Sequence, residues 1–229
     1  MKLLVIEGLD GAGKSTQINL LKEYLHNKGY SCEYIHFPRT DAPYFGELIA
    51  RFLRGEFGTL DTVDPYLVAM LYAGDRKDAA EQIAGWLKKG TMVLLDRYTY
   101  SNIAYQCAKM QGEHEQAKLR QWILSLEFRH FAIPKPDLNI FLDVPFSFTE
   151  KKLSGSRSGD DRLYLNGSRD IHEESLGFQK KVRDMYLSMS IADDRFVVVN
   201  CSDNNGSMFP PDRIFNLVIE LITSKRILK

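Results

Sequence analysis

EGLDGAGKST, residues Glu7–Thr16, follows the apolar run LLVI and precedes a stretch of helical periodicity. Gly8, Gly13, Lys14 and Ser15 satisfy the spacing G-x-x-x-x-G-K-[ST] in the strand-then-helix context that this pattern requires. Glycines let the backbone curl with its N–H groups turned inward, so a ring of partial positive charge can wrap a phosphate. The N-terminal dipole of the following helix adds to that field. Lys14 offers a compact charge to the outer phosphates of a nucleoside triphosphate, and Ser15 offers a hydroxyl ligand to its magnesium. The nucleotide-binding loop is therefore expected at Gly8, Asp10, Gly11, Ala12, Gly13, Lys14, Ser15 and Thr16.

Working outward, apolar runs alternate with helical stretches. LLVIEG is followed by Lys14 to Lys28, which carries Ile18, Leu21 and Leu25 on one face and ends at Gly29 as a capped helix would. CEYIHF, TMVLLD, LNIFLDV and RFVVVN are further strand candidates. Helical stretches are expected near Phe45 to Leu53, from about Pro65 to Lys89, and from Asp212 to Lys225. Continuous apolar strands between helices imply a sheet buried on both faces, hence mostly parallel, with ligands beyond the carboxyl ends of the strands. SGSRSGDDRLYLNGSR, Ser154 to Arg169, is rich in Gly, Ser and Arg, and reads as a surface loop or as a mobile lid; Arg157, Arg162 and Arg169 favour the lid.

The bulk numbers bound the partners. In 229 residues, 30 Lys plus Arg balance 30 Asp plus Glu, so a broad field for nucleic acid or an anionic membrane is not expected, and any basic site is local. The chain is 44% hydrophobic, enough for a sizeable core in one large α/β domain. Cys32, Cys107 and Cys201 have neither C-x-x-C spacing nor a zinc-finger histidine, and no run approaches a membrane span. A cytoplasmic protein with reduced thiols is the expectation.

Beyond the loop, LLDRY ends a strand with Asp96, where a second acid behind the magnesium is wanted, and Arg97. Tyr98, Ser101, Asn102 and Tyr105 recur at three and four residues, so on a helix they share a face that is either half-buried core or the wall of a pocket for a base. In LYAGDR, Tyr72 and Arg76 project together from one helix, and Arg39 follows a strand end in HFPRT. Arg39, Arg76 and Arg97 are more than a triphosphate needs. They point to a second anionic substrate, such as a monophosphate, held by planar donors.

Together EGLDGAGKSTQ, FPR, LYAGDR and DRYTYSNIAYQ, in this order, resemble the thymidylate kinases, and DIHEESLGFQKKVRDMY looks like the helix after that family's lid. The resemblance runs from Met1 to about Ile222. It implies an α/β, three-layer fold of the P-loop NTPase type: a five-stranded parallel sheet flanked by helices, in a single nucleoside monophosphate kinase domain over residues 1–229 with a lid at about 154–169. It implies transfer of the terminal phosphoryl group of ATP to dTMP with Mg2+, giving dTDP in dTTP synthesis, by a homodimer. Carried over by position, Asp10 would contact the sugar 3′-hydroxyl, while Arg39 and Arg97 would hold the monophosphate. Tyr72 would stack on thymine, Arg76 would bond its O4 and Asn102 its ring edge, and Tyr105 would crowd the 2′ position. Gly11 stands where some members carry an arginine, so the catalytic cation would come from the lid, as Arg157 or Arg162, beside Lys14 and Arg97. Another small phosphotransferase or a non-catalytic nucleotide-binding switch is the alternative, although a GTP switch would carry N-K-x-D, which is absent.

Overall fold

The five apolar runs form five strands in a computed structural model that describes residues 2–154, 164–167, 170–173, 175–191 and 193–228. They are β1 (Leu3–Gly8), β2 (Cys32–His36), β3 (Met92–Asp96), β4 (Leu138–Asp143) and β5 (Phe196–Asn200). All pair in parallel, in the order β2-β3-β1-β4-β5. The chain leaves central β1 for the β2 edge, returns through β3, and crosses to β4 on the far side. Strand order thus reverses about β1, and the crevice beyond its carboxyl end is where such sheets hold ligands.

Eight α-helices cover the sheet among the described residues: α1 (Lys14–Asn27), α2 (Phe45–Leu53), α3 (Pro65–Lys88), α4 (Thr99–Cys107), α5 (Glu113–Ser125), α6 (Phe146–Ser154), α7 (Leu176–Met189) and α8 (Pro211–Ser224). Alternation along the strands divides the core. Leu4 and Ile6 of β1, with Leu94 and Ile140, pack on Ile18, Leu21 and Leu25 of α1 and Ile214, Val218 and Ile222 of α8. Leu3 and Val5 face the other way, with Val93 and Leu95, onto Ala79, Ala80 and Ile83 of α3. Phe141 and Phe196 meet α4, α5 and α7 on that second side. Burying each large aliphatic side chain contributes roughly 1.5–3 kcal/mol, so both apolar layers drive the sheet to be sandwiched.

Local chemistry sets the helix ends. Asp64 caps α3 by accepting from the amides of Tyr66 and Leu67, and Pro65 fills the first position, where no amide hydrogen is needed. The α1 helix closes at Gly29, whose φ of 77° lets its amide and that of Tyr30 return to the carbonyls of His26 and Leu25. Helix α5 has no counterpart in the sequence reading, nor does the single π turn, Leu126–His130, that continues it.

Candidate active site

The loop after β1 owes its shape to its glycines. Gly11 and Gly13 have φ of 77° and 82°, and a Cβ added to Gly8 would lie 3.2 Å from that of Ala12 and 3.3 Å from Cγ of Lys14. Gly13 brings no side chain to cap α1, and the first turn holds no acid, so its amides are left for an anion. Lys14 is buried, its Nζ donating to the carbonyls of Leu9 at 3.1 Å and Gly8 at 3.3 Å. Burial, and then the charge of Arg97, lower its pKa to about 8, against the opposing pull of Asp96 and Asp10.

Parallel register brings β3 beside the loop: Asp96 lies level with Ile6 on one side and with His36 on the other. Asp96 Oδ2 is 3.3 Å from His36 Nδ1, while Oδ1 is buried without a partner. Although burial raises the pKa of Asp96, the hydrogen bond from His36 and the charge of Lys14 outweigh it and leave the carboxyl below its ordinary value. Arg97 follows with φ of 65°, a left-handed conformation that costs a non-glycine residue about 1–3 kcal/mol and that packing must enforce. Its amide donates to Ile6, and its guanidinium reaches Asp10 Oδ1 at 2.7 Å, Ser101 Oγ and Tyr105 Oη at 3.3 Å. The Tyr105 hydroxyl in turn donates to Asp10 Oδ2 at 2.8 Å.

Beneath Arg97 lies Glu7, fully buried, accepting from Ser101 Oγ at 2.5 Å, Tyr186 Oη at 2.9 Å and the Tyr98 amide at 3.0 Å. Burial raises its pKa, and these donors with Arg97 offset only part of that. Arg39 follows the cis Phe37–Pro38 peptide and is held by Asp75, which takes its Nε at 2.8 Å and its amide at 2.9 Å. Arg76 is buried against Glu127 of the π turn, with Nε at 2.7 Å and Nη2 at 2.6 Å from the two carboxylate oxygens.

One cavity of about 1060 Å³ unites the predicted residues. Asp10 to Thr16 line it on one side, and Arg39, Tyr72, Arg76, Asp96, Arg97, Ser101, Asn102 and Tyr105 on the other. Gly8 lies outside its lining, under the loop that it allows to turn. Arg157, Arg162 and Arg169 fall outside the described residues.

Sequence reasoning named Asp10, which holds Arg97, but missed the buried acids Glu7, Asp75 and Glu127. Asp75 stood inside LYAGDR beside Arg76, and Glu7 opened the quoted loop, so both were in view; a lone charge in the apolar LSLEF was the only mark of Glu127. Tyr164, Asp170 and His172, which also line the cavity, were missed as well. Asp170 accepts from Tyr164 Oη at 2.7 Å and the His172 amide at 2.8 Å, and burial, with the charge of Asp10, raises its pKa to about 7. His172 stacks on Phe178 and tilts against Tyr105, and burial holds its pKa well below the ordinary imidazole value.

A family profile described as thymidylate kinase matches residues 6–208. A thymidylate kinase of Mycobacterium tuberculosis is 32% identical over 217 residues, covering 92% of this chain and 98% of the relative. A probable thymidylate kinase of Thermococcus onnurineus is 34% identical over 202 residues, covering 86% and 88%. The solved thymidylate kinase of Candida albicans superposes with a TM-score of 0.72 at 26% identity, covering 98% of this chain and 92% of that one.

Proposed function

The chain belongs to the thymidylate kinase family, and we infer from that premise that it moves the terminal phosphoryl group of ATP to dTMP, giving dTDP and ADP. The observation that carries this reading is the shared cavity, with main-chain amides at one end and guanidinium groups at the other. Two anionic nucleotides meeting there would present attacking and leaving oxygens in line, which is most of what phosphoryl transfer asks of a protein.

The division of labour follows from position. ATP phosphates lie in the loop Gly8 to Thr16, with Lys14 against the outer ones. Arg39 and Arg97 clamp the dTMP phosphate, and Arg97 also faces the transferring group, where charge on the nonbridging oxygens must be neutralised. Tyr72 covers one face of thymine, Arg76 and Asn102 meet its edge, and Asp10 with Tyr105 borders the sugar. Arg157 or Arg162, which lie outside the described residues, would supply a further cation to the transferring group.

Magnesium fits the residues present. Asp96 Oδ1 is a buried acceptor without a partner, and the exposed Ser15 lines the same cavity as Asp96. A site built that way suits a cation that keeps water and takes phosphate ligands, held by Ser15 and, from behind, Asp96. When bound it would neutralise charge on the phosphates.

The free thiols of Cys32, Cys107 and Cys201 fit a reducing, cytoplasmic setting. No helix among the described residues is long and apolar enough to cross a membrane. Exposed Leu67 and Met70, three residues apart on α3, offer an apolar strip for a homodimer.

One assay tests the reading: ADP production with dTMP, dUMP, dCMP, dGMP, AMP and thymidine supplied singly beside ATP. The expected result is the highest kcat/KM with dTMP and none with thymidine. Turnover of thymidine, or preference for a purine monophosphate, would overturn it.

A further inference from the structure

Glu127 is fully buried, and its carboxylate accepts four hydrogen bonds: from Arg76 Nε and Nη2, from Thr99 Oγ1 at 2.8 Å, and from Asn102 Nδ2 at 3.0 Å. Four is the full capacity of a carboxylate. Asn102 Nδ2 gives its other proton to the Ala69 carbonyl at 3.0 Å. Both amide hydrogens are therefore committed, and the amide cannot turn over without placing its oxygen against a carboxylate and a carbonyl. That leaves Oδ1, which is buried without a partner on a residue that lines the cavity. A buried acceptor in this state favours any ligand that brings it a donor, and it disfavours one that brings a lone pair.

We propose that Glu127 is the positioning residue for base selection: it locks Asn102 so that only an acceptor faces the base, which admits thymine through its N3–H and rejects cytosine, whose N3 carries a lone pair. The same carboxylate fixes Arg76, whose donors suit a carbonyl at position 4 and oppose the amino group of cytosine there. The π turn that carries Glu127 is part of the device, since such turns recur at functional sites where a side chain must be aimed out of normal helical register. This inference rests on the placement of dTMP with its base beside Asn102.

Glu127→Asp tests it, because the charge opposite Arg76 is kept while the carboxylate withdraws by one methylene from Asn102. Expected are a fall of about 10-fold in kcat/KM for dTMP, carried by KM, a dTMP-to-dCMP preference reduced at least 10-fold, and an unchanged KM for ATP. An unchanged preference, with only the melting temperature lowered, would overturn the proposal. Should this variant not fold, hydrogen exchange in the wild-type protein decides: the Asn102 side-chain amide, assigned through its Cβ correlations, should exchange at least about 100-fold more slowly than an exposed asparagine, and exchange at the exposed rate would overturn the lock. Binding of 3-methyl-dTMP to the wild type separates the two claims. If it binds as tightly as dTMP, the base placement fails; if it is rejected while Glu127→Asp keeps its preference, Glu127 alone is wrong.

Discussion

Asp10 Oδ1 stands 2.7 Å from Arg97 Nη2, so the acid of the phosphate loop and the base at the end of β3 hold each other across the floor of the cleft. The pair is well enclosed, with side-chain exposures of 24% and 10%, and Tyr105 binds both partners. A phosphate arriving between loop and strand would meet a guanidinium already aimed, with little side-chain entropy left to lose.

Arg97→Ala is accordingly expected to lower kcat by on the order of 10³-fold or more, the scale of a lost arginine facing the transferring group. The left-handed backbone strain would not be relieved, since alanine also carries a Cβ. Steady-state kinetics at saturating ATP and dTMP measure this, and near-normal turnover would place Arg97 outside the chemistry.

Much of the architecture was legible because strand and loop signals are local. All five strands and the helices at Lys14, Phe45, Pro65 and Pro211 coincide with runs read from periodicity, and Gly29 closes α1 as its position implied. Arg39, Arg76 and Arg97 could be named because they end or line such elements. Asp10 could be named as well, from the loop, but none of the pairings could, because Asp75 lies 36 residues from Arg39, Glu127 lies 51 from Arg76, and Asp10 lies 87 from Arg97. Pairings of that range are made by the crossover topology, and no window of sequence contains both members. The π turn was invisible for a different reason: what defines it is a backbone hydrogen bond five residues long, from the Phe131 amide to the Leu126 carbonyl, which no side-chain pattern announces.

Lys14 carries a pH dependence. Its pKa of about 8 results chiefly from burial, so above that pH the free enzyme loses the charge that faces the outer phosphates. Bound ATP would restore the higher pKa, because its negative phosphates favour the ammonium form. Binding should then take up a proton, with uptake small at pH 7.5 and approaching about one at pH 9, and affinity falling by up to about 10-fold per pH unit in that range. Calorimetry in buffers of different ionisation enthalpy reads the uptake directly. Lys14→Arg, which stays charged, should flatten it; a wild-type profile without any rise would show that Lys14 keeps its charge in the free enzyme.

Asp170 gives the opposite sign, in stability. Burial first, and then the negative charge of Asp10, raise its pKa from 3.8 to about 7, despite donors from Tyr164 and the His172 amide. The unfolded chain releases this proton near 3.8, whereas the folded chain holds it to about 7, so folding takes up a proton between those values. Stability from this group is therefore fullest below the lower value, declines as pH rises through the window, and is lost above the upper one. Asp170→Asn removes the charge while keeping an acceptor for the His172 amide and an amide group that can donate to the Tyr164 oxygen. Relative to wild type, the variant should gain roughly 1–3 kcal/mol more at pH 8 than at pH 5, measured by urea unfolding at both pH values. A difference between the two proteins that does not change with pH would mean that Asp170 ionises in the fold as it does in the open chain, and that Asp10 exerts no field on it.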